Sequence, residues 1–165
     1  MTAFVEGSIC SRTPQAVAAV LRSAEAACRE RGVLFTAIRR SVLESLWQSA
    51  QPMGAYELMG VVKSKLGRKL SPPTIYRALD FLLEQGLISR IESRNAFVPC
   101  AHPERDHACV YFICDACGSS LEIENSRLEA LVEQEAASLG FRIGRSVIEM
   151  QGTCAHCLSS ATGSA

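Results

Sequence analysis

The chain has 165 residues, of which 48% are hydrophobic and 21% charged, a composition that excludes a disordered protein and allows a buried core. Its formal net charge of zero excludes coating of nucleic acid through bulk charge, but residues 1–92 carry 12 Lys and Arg against 8 Asp and Glu. Residues 93–165 carry 5 against 9, so only the first half of the chain is expected to face phosphates.

The first half predicts four helices in succession. Thr13-Pro14 and Ser71-Pro72 are typical helix starts, because a capping hydroxyl is followed by proline in the first turn. The predicted helices begin after Thr13, after Thr36, at about Ala55 and at Ser71-Pro72, and end at Gly32, before Gln51, at Leu66 and at Gln85. Residues 87–91 and 96–98 then predict two short strands of a hairpin. Helices followed by a small hairpin are typical of a winged helix-turn-helix, in which the hairpin is the wing.

The second half predicts a smaller domain. Residues 99–107 show no clear period and indicate a linker. Strands are predicted at residues 109–113, 121–124 and 141–150, and a helix at residues 126–139. A sheet this small gains most by pairing across a two-fold axis. We therefore predict an α+β protein with a winged-helix DNA-binding domain (1–98), a hinge (99–107) and a small dimerisation domain (108–165).

The cysteines indicate metal chemistry. No apolar run approaches the ~20 residues that span a bilayer, and the start MTAFVEGSIC does not resemble a signal peptide. We therefore expect a cytoplasmic protein without a membrane partner, where eight cysteines do not predict disulfides. Two Cys-x-x-Cys pairs suit a tetrahedral structural zinc site; the alternatives are a redox dithiol or unpaired buried cysteines. The predicted ligands are Cys114, Cys117, Cys154 and Cys157.

The fourth predicted helix has the pattern of a recognition helix. Ile75, Leu79 and Leu82 fall on one face. The other face carries hydroxyls that suit phosphates and a guanidinium that suits a guanine edge. The candidate DNA contacts on that face are Thr74, Tyr76 and Arg77. Periodicity alone allows an ordinary amphipathic helix equally well.

The stretch PPTIYRALDFLLEQGLISRIES, followed by FICDACG, resembles the ferric uptake regulator superfamily and specifically its zinc uptake regulator branch. The resemblance covers about residues 20–158. It implies a zinc-responsive repressor whose zinc-loaded homodimer binds a palindromic double-stranded DNA operator and represses zinc-uptake genes. It also implies that Tyr56 contacts DNA and that Arg77 reads a base.

The same resemblance implies a second, regulatory zinc ion at the hinge, and therefore two Zn²⁺ per chain. The matching ligands are Cys100, His107 and Glu122. Ser89 stands where relatives carry a histidine ligand, and serine binds zinc poorly. His102 is the favoured substitute, with Asp106 and Cys109 as alternatives.

Three other classes of function stay open at this point. An iron- or peroxide-responsive regulator of the same superfamily would hold a different hinge metal, although a thiolate at Cys100 favours zinc. An enzyme using catalytic zinc is disfavoured because four cysteine ligands leave no open position, and we expect no enzymatic activity and no small-molecule substrate. A zinc-stapled interaction module would have no DNA role.

Overall fold

The computed structural model describes residues 13–100, 109–144 and 146–162. These residues divide into two compact units, residues 13–100 and residues 109–162. Within the described ranges, no helix combines the length and the apolar character that crossing a bilayer requires.

The first unit contains the four helices that the sequence predicts. They are α1 (Pro14–Glu30), α2 (Ala37–Gln48), α3 (Ala55–Leu66) and α4 (Pro72–Glu84). The Thr13 and Thr36 hydroxyls accept hydrogen bonds from the backbone N–H groups of Ala16 and Arg39, which satisfies donors that a helix start leaves unpaired. Gly86 follows α4 with φ +69°, a left-handed conformation that ends the helix at little steric cost.

The wing is a two-stranded antiparallel hairpin of β1 (Ile88–Ile91) and β2 (Ala96–Pro99). Its turn contains a short 3-10 segment, Glu92–Arg94, and Asn95 in the left-handed region with φ 46°. Met53 and Phe97 exchange two backbone hydrogen bonds of 3.0 and 2.9 Å. Because Met53 lies just before α3, these bonds fix the wing to the start of the helix-turn-helix.

The core of the first unit lies among α1, α2, α3, α4 and the base of the wing. Val42, Leu43, Leu58, Leu79 and Leu82 are completely buried there. Cys28 belongs to the same core at 1% exposure, and burial raises the pKa of its thiol. The structure thus explains Cys28 as a small apolar packing residue.

The second unit is a three-stranded sheet with two helices. Its elements are β3 (Cys109–Cys114), β4 (Ser120–Ile123), α5 (Ser126–Ser138), β5 (Val147–Gly152) and α6 (Ala155–Thr162). The strand order is β4-β3-β5, with β4 antiparallel and β5 parallel to β3. Sequence reasoning started the last strand too early, at residue 141: β5 begins at Val147, where its pairing with Cys109 begins. It also missed α6.

The core of the second unit is thin. Val110, Tyr111, Ile113 and Cys114 are its buried residues among those described, and α5 contributes none. Several large apolar side chains of this unit are exposed: Phe112, Leu121, Leu131, Leu139, Phe141 and Leu158. Exposed apolar surface of this extent is typical of a unit that packs against a partner.

The buried face of α4 makes a prediction about stability. Leu79 has no exposed surface, so we expect Leu79→Ala to lower the free energy of unfolding of the first unit by about 2–5 kcal/mol through lost burial and a cavity. Leu34 is 73% exposed, and Leu34→Ala should change it by less than about 0.5 kcal/mol. Urea unfolding followed by circular dichroism measures both, and equal losses would contradict the assigned core.

Candidate metal centre and DNA-binding surface

The parallel pairing of β3 with β5 brings the two Cys-x-x-Cys motifs to the same end of the sheet. The register places Cys114 opposite Gly152, the last residues of their strands. The Asp115 backbone N–H donates to the Gly152 carbonyl at 2.8 Å, which extends the pairing one step beyond the strands. The chain after β3 and the chain after β5 therefore leave the sheet side by side.

Each motif forms a tight backbone turn. In the first, the Gly118 N–H donates to the Cys114 carbonyl at 2.9 Å, and Gly118 adopts φ +74°. In the second, the Leu158 N–H donates to the Cys154 carbonyl at 3.0 Å, which places Cys157 in the first turn of α6. Both turns present their thiols towards one point.

The four thiols form a cluster with the dimensions of a zinc site. The Sγ atoms of Cys114, Cys117, Cys154 and Cys157 all lie within 4.8 Å of one another, and those of Cys117 and Cys154 are 3.9 Å apart. A tetrahedral zinc ion with Zn–S distances of ~2.3 Å separates its sulfur ligands by ~3.8 Å. Across the described ranges, no other group of three or more metal-binding side chains is as close. The cluster therefore fits structural zinc.

Hydrogen bonds divide the four thiols by acidity. The Cys154 N–H donates to Cys114 Sγ at 3.3 Å and is the largest of the effects that lower the pKa of Cys114 to about 6. The Ser119 hydroxyl, 3.1 Å from Cys117 Sγ, lowers the pKa of Cys117. The pKa of Cys157 is raised to about 12, mainly by its interaction with Cys154. The first motif thus offers thiolates readily, whereas Cys157 gives up its proton only to a metal ion.

The predicted DNA-contacting residues lie on exposed faces of α3 and α4. Tyr56 in α3 is 68% exposed and Tyr76 in α4 is 42% exposed, so Tyr56 is not a core residue. Arg77 is also exposed, while Ile75 and Leu79 on the opposite face are buried. The Thr74 hydroxyl lies 2.8 Å from that of Ser71. The helix therefore presents its polar face outward as predicted.

Arg39 is a candidate DNA contact that the sequence did not indicate. It lines a hollow of about 180 Å³ together with Thr74 and Arg77. Its guanidinium stacks on the Phe81 ring at 3.4 Å from the centroid and donates to the Leu34 carbonyl. The contact joins α2 to α4, and periodicity within one helix carries no signal for it.

The predicted regulatory ligands are only partly described. Cys100 directly follows β2, is 4% exposed, and donates its backbone N–H to the Leu87 carbonyl at 3.1 Å. Glu122 is half-buried on β4, opposite Tyr111. Ser89 is buried on β1, opposite Val98. His102 and His107, like Asp106, lie outside the described residues, as does the side chain of Cys109. This ligand set stays a prediction.

Comparison with known proteins gives consistent matches. Residues 30–151 match the model of the ferric uptake regulator family. The zinc uptake regulation protein of Escherichia coli (strain K12) is 37% identical over 140 residues, which cover 84% of this chain and 81% of that protein. A zinc uptake regulator complexed with zinc and DNA matches with a TM-score of 0.83 at 35% identity, covering 88% of this chain and 97% of the other. Holo XcZur matches with a TM-score of 0.76 at 39% identity, covering 86% and 98%.

The cysteine cluster makes a prediction about metal content. We expect Cys117→Ser to remove one zinc ion per chain, because a hydroxyl is a poor zinc ligand and three thiols leave the site open. Cys28→Ala, which removes a buried cysteine from the first unit, should leave the metal content unchanged. Elemental analysis of the purified proteins measures both. Undiminished zinc in Cys117→Ser would contradict the site.

Proposed function

Because the chain belongs to the ferric uptake regulator family, we propose that it is a zinc-responsive transcriptional repressor. Its zinc-loaded homodimer binds a palindromic operator in double-stranded DNA and represses zinc-uptake genes. The observation that carries this proposal is the similarity, over most of both chains, to a zinc uptake regulator complexed with zinc and DNA.

DNA recognition is assigned to the exposed face of α4 and to neighbouring side chains. The Arg77 guanidinium has the fork that binds a guanine edge in the major groove. Thr74, Tyr76 and Tyr56 supply hydroxyls, which position a protein on phosphates. Arg39 shares the hollow beside Arg77 and adds positive charge there. Two copies of α4 related by a two-fold axis would read half-sites ~34–36 Å apart.

Dimerisation is assigned to the second unit. Its thin core and exposed Phe112, Leu121 and Leu131 leave apolar surface that a second copy would cover. A two-fold interface is self-complementary, so one such surface serves both subunits. The first unit has a complete core of its own and does not need this support.

We assign two zinc ions to each chain. Structural zinc is bound by Cys114, Cys117, Cys154 and Cys157, and it supplies folding stability because its ligands converge only in the folded unit. No ligand position remains open there for a substrate. Regulatory zinc is assigned to Cys100, His107, Glu122 and, in place of the histidine that Ser89 replaces, His102.

Regulation follows from the origin of the regulatory ligands. Cys100 belongs to the first unit and Glu122 to the second. Ligation by residues of both units would favour those arrangements of the dimer in which all the ligands converge, and operator binding would select the same arrangements. A shift from 1:99 to 99:1 between two arrangements requires about 5.5 kcal/mol of differential affinity.

The alternative is an iron- or peroxide-responsive regulator of the same family. The thiolate of Cys100 favours zinc over iron and manganese, which are commonly bound by oxygen and nitrogen ligands. Operator binding measured with zinc and with iron in turn separates the two functions.

Arg77 makes a prediction about DNA binding. We expect Arg77→Ala to weaken operator binding by about 1–3 kcal/mol, or roughly 5-fold to 150-fold, and to relax base preference at one position of each half-site. Arg22, an exposed residue of α1, is the control, because Arg22→Ala removes the same charge away from α4. Fluorescence anisotropy with operator and scrambled duplexes measures both variants. Unchanged operator affinity in Arg77→Ala would favour an interaction module without a DNA role.

Cys100 makes a prediction about zinc sensing. We expect Cys100→Ser to lose one zinc ion per chain and the zinc dependence of operator binding together, while the four-cysteine site stays loaded. A DNA-binding titration at buffered free zinc, with bound metal counted at each point, measures both quantities. The matched control is Cys28→Ala. Retention of both zinc ions and of the full zinc response would reject Cys100 as a ligand.

A further inference from the structure

A cavity of about 290 Å³ lies inside the first unit, away from the exposed face of α4. Its walls come from α1, α2 and the residue that leads into the wing. They are mostly apolar and include Val20, Ala24, Ala27, Leu43 and Leu87. Cavities of about this size with apolar walls and few polar groups are typical sites for small molecules.

Trp47 supplies an unused hydrogen-bond donor at this cavity. The side chain lines the cavity and is 6% exposed. Its indole Nε1 is buried, and among residues 13–100, 109–144 and 146–162 no atom accepts a hydrogen bond from it. A buried N–H of this kind is costly to leave unpaired, so an acceptor placed beside it gains a hydrogen bond without displacing another.

The charges at the cavity cancel. Glu30 and Arg31 both line it, and Arg31 already donates to the backbone carbonyl and the side-chain oxygen of Gln85, at 2.9 and 3.2 Å. Neither sign of charge is therefore favoured in a ligand, and the indole N–H is the donor that a ligand would use.

We propose that this cavity binds a small uncharged apolar molecule with one hydrogen-bond-accepting oxygen, which receives the Trp47 N–H while its hydrocarbon part packs against Val20, Leu43 and Leu87. The site is separate from the four-cysteine cluster and from the proposed DNA contacts. Cys100 also lines the cavity, so a bound molecule would lie beside a thiol that the proposed function assigns to regulatory zinc.

The test uses the full-length, zinc-loaded protein with 1-hexanol as the probe. Trp47 is the one tryptophan of the chain, so the indole N–H gives a single signal in a ¹H–¹⁵N correlation spectrum. We expect 1-hexanol to move this signal in a saturable way, with the proton shifting downfield as the hydrogen bond forms. An unmoved signal, or one that moves linearly without saturation, would overturn the proposal.

Three variants separate a built site from a solvent effect. Ala27→Leu should abolish the saturable shift by filling the cavity, whereas Ala19→Leu, at an exposed position of the same helix, should leave it unchanged. Trp47→Phe keeps an aromatic ring but lacks the donor, and it should weaken binding by roughly fivefold, read from the methyl signals of Leu43 and Leu87. Equal affinity in Ala27→Leu and in the unmodified protein would reject this cavity as the site.

Discussion

The second unit depends on the parallel pairing of β3 with β5. This pairing joins residues about forty positions apart in the chain and places Cys114 beside Gly152. Both Cys-x-x-Cys turns then project from one end of the sheet, and four thiols gather within 4.8 Å. A unit with so few buried side chains gains little from its own core, so a metal ion shared by the two turns supplies the cross-link that packing does not.

The first unit is stabilised differently, and the difference suits a division of labour. Its helices enclose a continuous core, and the Met53–Phe97 backbone pairing holds the wing against the start of α3. The stacking of Arg39 on Phe81 further joins α2 to α4. Such a unit keeps its recognition surface in shape by itself. Control by zinc therefore acts best on how two such units are placed, through ligands such as Cys100 and Glu122 that belong to different units.

Local signals explain what the sequence predicted well. The first four helices follow from capping hydroxyls, prolines in first turns and 3.6-residue periodicity, all of which act within a few residues. The four zinc ligands follow from two short motifs. The start of β5 and the existence of α6 depend instead on pairing between distant segments: residues 141–144 carry apolar side chains but do not extend β5, whose pairing with β3 begins only at Val147. Similarly, Arg39 reaches Arg77 only through the packing of two helices, and the regulatory ligand set rests on family resemblance alone.

The central claim is that metal bound by the four cysteines holds the second unit together while the first unit folds without it. Amide hydrogen exchange of the full-length protein, before and after a chelator has removed all zinc, tests it most directly. The account predicts that β3, β5 and α6 lose protection in the metal-free protein, whereas α2, α3 and α4 keep theirs. Protection of β5 that survives complete removal of zinc would contradict it.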